Sequence, residues 1–96
     1  MAKAKADEVA RVASVLSVPT RVRIIDLLRK HPLCVGALAR KLDVTQGAVS
    51  QHLRVLRDHD VVIAEKRGYY THYRLNEKTV AKWKAITERF LQTPED

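Results

Sequence analysis

Residues 36–56 read "GALARKLDVTQGAVSQHLRVL", and this stretch decides the fold. In its second half the apolar residues Val49, Leu53 and Leu56 recur at i, i+4 and i+7, which is the spacing of one buried helical stripe. A similar stripe in residues 35–42 predicts a short preceding helix, and only three residues separate the two. Two helices joined so closely predict a helix-turn-helix unit.

The opposite face of the second helix carries amides, a hydroxyl and guanidinium groups instead of the Glu–Lys pairs of an ordinary solvated helix. Amides can offer a donor and an acceptor to a base edge, while guanidinium groups suit guanine or phosphate. Thr45 is the predicted N-cap, and His52, beside the apolar stripe, is expected to pack or to contact a phosphate rather than bind a metal. The DNA-binding residues predicted here are Thr45, Gln46, Ser50, Gln51, His52, Arg54 and Arg57.

After this helix the hydrophobic period changes from 3.6 residues to two. In "VVIAEKRGYYTHYRL", residues 61–75, apolar and β-branched residues alternate around a glycine, which predicts two antiparallel strands and a turn. Period two directs Tyr73 and Leu75 toward the core and His72 and Arg74 toward water. For the two tyrosines at the tip, phosphate contact and inward packing are equal alternatives. The tip residues predicted to contact DNA are Lys66, Arg67, Tyr69 and Tyr70.

Three more helices complete the pattern, over roughly 7–17, 20–31 and 77–91. The order is then α, α, α, α, β, β, α: a mainly α fold (α+β) with a β-hairpin wing beside a helix-turn-helix. The residues predicted to face the core are Val9, Val12, Ala13 and Leu16 in the first helix and Val22, Ile25 and Leu28 in the second, where Ile24 and Leu27 are expected to contribute as well.

Length, charge and composition limit the possible functions. Ninety-six residues predict a single domain over 1–96, with flexible tails at 1–6 and 93–96. A net charge of +7 favours a polyanionic partner, here double-stranded DNA. Without a membrane span, a signal peptide pattern or a second cysteine, a cytoplasmic location is expected. No paired acids or nucleotide-binding loop are evident, so neither an enzyme nor a cofactor is expected.

From about residue 15 to 76 the chain resembles the ArsR/SmtB family of winged-helix repressors. The segments "LSVPTRVRIIDLL", "LCVGALARKLDVTQGAVSQHLRVLRDHDVV" and "KRGYYTHYRL" all fit that family's pattern. The resemblance implies a homodimeric transcriptional repressor with a two-fold operator, whose repression is relieved by a ligand or a modification. It also implies a recognition helix at 45–57 and a wing at 61–75.

A broad apolar stripe on the last helix exceeds what one small core can absorb. Segments 1–18 and 77–92 are therefore predicted to be dimerisation helices that pack across a two-fold axis. The predicted interface residues are Val9, Val12, Leu16, Val80, Trp83, Ile86, Thr87 and Phe90.

The sensing function is where the sequence departs from the family. Members that respond to soft metals often carry Cys-Val-Cys, whereas this chain has Cys34-Val35-Gly36, and its last helix contains no histidine or cysteine. No metal is therefore predicted, and the inducer is not identified. Cys34 is expected to pack as a small half-buried residue, with a thiol- or metal-responsive sensor as an alternative. A protein-interaction module, in which the polar helix face meets acidic side chains, is a second alternative.

Overall fold

The computed structural model describes residues 2–92. It confirms a mainly α fold with a β wing. The helices are α1 (Lys3–Val15), α2 (Pro19–Leu28), α3 (Val35–Leu42), α4 (Gln46–Asp58) and α5 (Glu77–Leu91), and the strands are β1 (Leu33–Cys34), β2 (Val62–Arg67) and β3 (Tyr70–Leu75). No helix in this part of the chain is both long and apolar enough to cross a bilayer.

Strand β1 was not predicted from the sequence. It is only two residues long, too short to display an alternating pattern, and it pairs antiparallel with the distant β3. The sheet order is β1-β3-β2, so β3 is the central strand and the hairpin is fastened to the helical core.

The central position of β3 changes the surroundings of its outer face. His72 lies opposite Cys34 on one side and Glu65 on the other, and Arg74 donates a hydrogen bond to the Glu65 carboxylate. The prediction that His72 and Arg74 face water is therefore wrong in part. Both residues are half-buried, His72 between two neighbouring strands and Arg74 against Glu65, but the Arg74 side chain is still 42% exposed.

One hydrophobic core joins the helices to the base of the sheet. The stripes predicted for α3 and α4 are confirmed, with Val35 half-buried at the edge. The buried residues of this core are Val15, Ile24, Leu28, Leu33, Leu38, Ala39, Leu42, Val49, Leu53, Leu56, Val61 and Val62.

The core-facing stripes of α1 and α2 were predicted incorrectly in part. On α2, Val22 is 45% exposed, since two residues along a helix rotate it by about 200° from the buried Ile24. On α1, Val15 is buried instead of Leu16, which is 40% exposed, and Ala13 is also exposed. Both segments have apolar residues on more than one face, so periodicity alone does not select the covered one.

The turn of the helix-turn-helix is set by two local features. Asp43 adopts a left-handed conformation with φ of 53°, which ends α3. The Thr45 hydroxyl oxygen accepts a hydrogen bond from the Ala48 amide at 3.1 Å, which confirms Thr45 as the N-cap of α4. At the other end of the chain, Asn76 caps α5 in the same way through the Lys78 amide.

The wing turns through two residues between the paired Arg67 and Tyr70. Gly68, the first of them, has φ of 61°, which glycine adopts without steric cost and which a two-residue hairpin turn demands. The strands thus run to the very tip, and the tip side chains are held in register.

Helices α1 and α5 extend away from this core. They lie side by side in one chain, with Glu8 and Lys82 forming an ion pair at 3.9 Å, yet no residue of α5 is buried. The radius of gyration is 14.9 Å, against about 12–13 Å for a compact domain of this length. Helix α1 begins at Lys3, so it includes residues 3–6 of the segment predicted to be a flexible tail, and that prediction stays untested; residues 93–96 lie outside the described part.

Arg21 fastens α1 to α2. Its Nε donates to the Val15 carbonyl at 2.8 Å and its Nη2 donates to the Ser14 carbonyl at 3.0 Å, so it satisfies backbone acceptors at the end of α1. We expect Arg21→Ala to lower the free energy of unfolding by about 1 kcal/mol in urea titrations. Arg23→Ala, an exposed neighbour on α2 without such bonds, should change it by less than about 0.5 kcal/mol. Equal effects of the two variants would contradict the role given to Arg21.

Candidate nucleic-acid interface

The polar face of α4 points into solvent. Val49, Leu53 and Leu56 anchor the opposite face in the core, with at most 2% of each exposed. The exposed polar residues are Gln46, Ser50, Gln51, Arg54 and Arg57. Among the hydrogen bonds and ion pairs within residues 2–92, none engages these five side chains. Their donors and acceptors are therefore available to an external partner.

Two other residues predicted to touch DNA have different surroundings. The Thr45 hydroxyl oxygen is engaged in capping α4, so this residue primarily fixes where the helix begins. His52 is half-buried and lies on the flank of α4 that turns back toward the protein. Both residues border the polar face without standing at its centre.

The tip of the wing is fully accessible. Lys66, Arg67, Tyr69 and Tyr70 are all exposed, with Tyr69 94% exposed. The two tyrosine rings lean on each other, with centroids 6.0 Å apart and planes tilted by 55°. Neither ring packs inward on the hairpin, so that alternative is excluded for the isolated protomer.

A third contribution comes from the end of α3 and was missed in the sequence. Arg40 and Lys41 occupy its last turn, and both are exposed. A Cβ placed on Gly36 would lie 3.4 Å from Arg40 Nη1 and 3.8 Å from Gln46 Nε2, so the Arg40 and Gln46 side chains approach the same point. The sequence signal was the pair of adjacent cations, but only the folded turn brings Arg40 beside α4, whereas Lys41 lies beside α2.

Cys34 lies at the junction of β1 and α3, where it is half-buried. Its cross-strand neighbour is His72, whose Nδ1 is buried without a hydrogen-bond partner. Within residues 2–92, no group of three or more His, Cys, Asp or Glu side chains is arranged to hold a metal ion. The expectation that no metal is bound stays a prediction.

The residues predicted to form a dimer interface separate into two groups. Val12 is buried and Trp83 packs on the core of its own chain, so both serve the protomer itself. Leu16, Val80 and Phe90 are 39–48% exposed, while the remaining three are half-buried. The half-buried residues are Val9, Ile86 and Thr87. Leu91, which was not predicted, is 66% exposed beside them.

Known proteins share both the sequence and the fold. A profile described as "Bacterial regulatory protein, arsR family" matches residues 18–64. The transcriptional repressor SdpR of Bacillus subtilis is 31% identical over 65 residues, which cover 68% of this chain and 72% of SdpR. Across eight curated relatives, the chain spans 56–72% of their length.

Solved structures agree with the sequence matches. The crystal structure of a possible transcriptional regulator for arsenical resistance superimposes with a TM-score of 0.78 at 33% identity, covering 85% of each chain. The NMR structure of a homodimeric winged helix-turn-helix DNA-binding domain from Mycobacterium bovis has a TM-score of 0.72 at 26% identity, covering 96% of this chain and 92% of that one. The protein therefore belongs to the arsR family of bacterial regulatory proteins.

Proposed function

We propose that the protein is a homodimeric transcriptional repressor that binds an inverted-repeat operator in double-stranded DNA. The observation that carries this proposal is the exposed polar face of α4, whose amide, hydroxyl and guanidinium groups have no partner within the described chain. Such a face on the second helix of a helix-turn-helix fits the major groove. The family relatives that are repressors support the same function.

The wing and α3 supply contacts on either side of α4. Lys66 and Arg67 at the wing tip bind phosphate or enter the neighbouring minor groove, with Tyr69 and Tyr70 beside them. Arg40 and Lys41 lie where the first helix of such a unit crosses the DNA backbone. Two basic sites thus flank one base-reading helix.

A dimer follows from the apolar surface of α1 and α5. Leu16, Val80, Phe90 and Leu91 are exposed on two helices that extend from the protomer, and a second copy would cover them. The homodimeric Mycobacterium bovis domain supports this assembly. Two recognition helices held in this way would meet half-sites about 10–12 base pairs apart.

The proposed regulator acts in the cytoplasm, with DNA and a second copy as its partners. The exposed groups of the interface are amides, hydroxyls and guanidinium groups, which suit hydrogen bonding to DNA. We therefore propose neither a catalytic activity nor a cofactor. The inducing signal is a separate question from the DNA contacts.

The division of labour between helix and wing gives a direct test. We expect Gln51→Ala to weaken binding to a duplex selected from a random library by about 1–3 kcal/mol, with little change on a scrambled duplex. Arg67→Ala should weaken both duplexes alike and reduce the slope of log K against log salt by about one per protomer, and so by about two for the homodimer. Fluorescence anisotropy at several salt concentrations measures both quantities.

The same titrations separate the proposal from its alternative. A wild-type protein that binds neither duplex would reject DNA binding and favour a protein-interaction module. Binding that does not depend on salt would reject the phosphate contacts. Identical behaviour of the two variants would reject the division of labour between α4 and the wing.

A further inference from the structure

A polar groove separates α4 from the wing sheet, and part of the polar face of α4 lines it. It has a volume of about 390 Å³, and its lining residues are Ser50, Leu53, Arg54, Arg57, Asp58 and Tyr73. The buried Leu53 and the core-packed Tyr73 form its floor, while the charged and hydroxyl groups stand at its rim. The groove therefore has a rigid apolar base and a basic edge.

The rim residues form a straight row along the recognition helix. Ser50, Arg54 and Arg57 are spaced i, i+4 and i+7, so they share one side of α4, and this is the side that faces β3. Gln51 comes one residue after Ser50, about 100° farther round the helix, and does not line the groove. Arg54 and Arg57, beside the wing, and Gln51, which faces outward, are therefore placed to contact different parts of a bound duplex.

The shape of the DNA duplex determines which part of it can occupy this groove of the protein. Major and minor grooves are separated by a sugar–phosphate strand, so a helix in one and a wing in the other must straddle that strand. The guanidinium groups of Arg54 and Arg57 and the hydroxyl of Ser50 lie at the rim of the groove and can reach this strand. All three groups are hydrogen-bond donors suited to phosphate oxygens. Asp58 is the one acidic residue that lines the groove, and its carboxylate repels the negative charge of a phosphate.

We infer that this groove holds a backbone phosphodiester of the bound duplex, with Arg57, Arg54 and Ser50 at its rim as the ligands. The inference rests on the proposed DNA-binding function and refines it: Arg57 fixes the register of α4 on the duplex and does not read a base. Asp58 weakens this contact and so moderates affinity for any sequence.

Arg57→Ala should lower affinity about tenfold at low salt, and by the same factor for a selected duplex and a scrambled one of equal length. The slope of log K against log salt should fall by about 1.8, because the homodimer loses one phosphate contact in each half-site at about 0.9 per contact. Arg57→Lys should retain most of the binding, because the lysine ammonium can still bind a phosphate as a point charge. It could not replace a bidentate contact of arginine with guanine.

Asp58→Asn gives a test of opposite sign. Removing a carboxylate from the groove should tighten both duplexes about two- to threefold, without changing their ratio. Arg29→Ala on α2 is the matched control: it removes the same charge as Arg57→Ala from an exposed site outside the groove, and should change neither affinity appreciably.

Phosphate ethylation interference locates the contact itself. One phosphate whose ethylation blocks the wild-type protein should cease to matter for Arg57→Ala, while the remaining pattern is unchanged. Loss of affinity for the selected duplex alone, or unchanged affinity in both Arg57→Ala and Asp58→Asn, would overturn the inference. Failure of the wild type to bind either duplex would instead reject the proposed function, so the two failures are distinguishable.

Discussion

Phe90→Asp should convert the dimer into a monomer and lower operator affinity by about 10²- to 10⁴-fold. Phe90 is 48% exposed on the outer part of α5, beside the still more exposed Leu91, and we propose that a second copy covers both. An aspartate there would have to be buried without a partner when the dimer forms. A monomer engages one half-site only, and therefore loses the gain from binding the second half-site within the same complex.

Sedimentation velocity at micromolar concentration, followed by titration on the selected duplex, measures both effects. Lys78→Asp, an exposed change in the first turn of the same helix, is the control and should remain dimeric. Trp83→Asp is a poor test of the interface, because Trp83 packs on the core of its own chain and its loss would unfold the protomer. A Phe90→Asp protein that still sediments as a dimer would contradict the proposed assembly.

Leu53→Ala should produce the largest loss of stability, about 3–4 kcal/mol in the free energy of unfolding. Leu53 is 2% exposed and holds α4 in the core directly beneath the proposed DNA-binding face. The change removes buried apolar contacts and leaves a cavity that rigid neighbours cannot close. Against a total stability of about 5–15 kcal/mol for a typical domain, this would leave much of the protein unfolded at elevated temperature.

Urea unfolding at fixed protein concentration checks this value, since the stability of a dimer depends on concentration. Val22→Ala, 45% exposed on α2, provides the comparison and should cost less than about 0.5 kcal/mol. A similar loss of stability in both variants would contradict the assignment of Leu53 to the buried core and of Val22 to the exposed surface.

The sequence by itself determined every feature whose cause lies within a few residues. The stripes of α3 and α4, the Thr45 cap and the turn at the wing glycine were all predicted correctly. Each depends on local hydrogen bonds or on the covalent geometry of one residue. Together they predict the helix-turn-helix and the hairpin, and hence the DNA-binding face of α4, before any tertiary contact is known.

The tertiary structure decided which of several apolar or charged residues are covered and which come together. Strand β1 exists only because β3 lies beside it, and that pairing places Cys34 beside the half-buried His72. The side of α1 or α2 that becomes core depends on where a neighbouring helix lies, so Val15 is buried while Val22 is not. Likewise, the row of arginines on α4 forms one wall of a groove only because the wing sheet forms the other. Hydrophobic periodicity shows which residue types lie on each side of a helix. Which side is buried, and which side binds a partner, depends on the elements that pack against that helix.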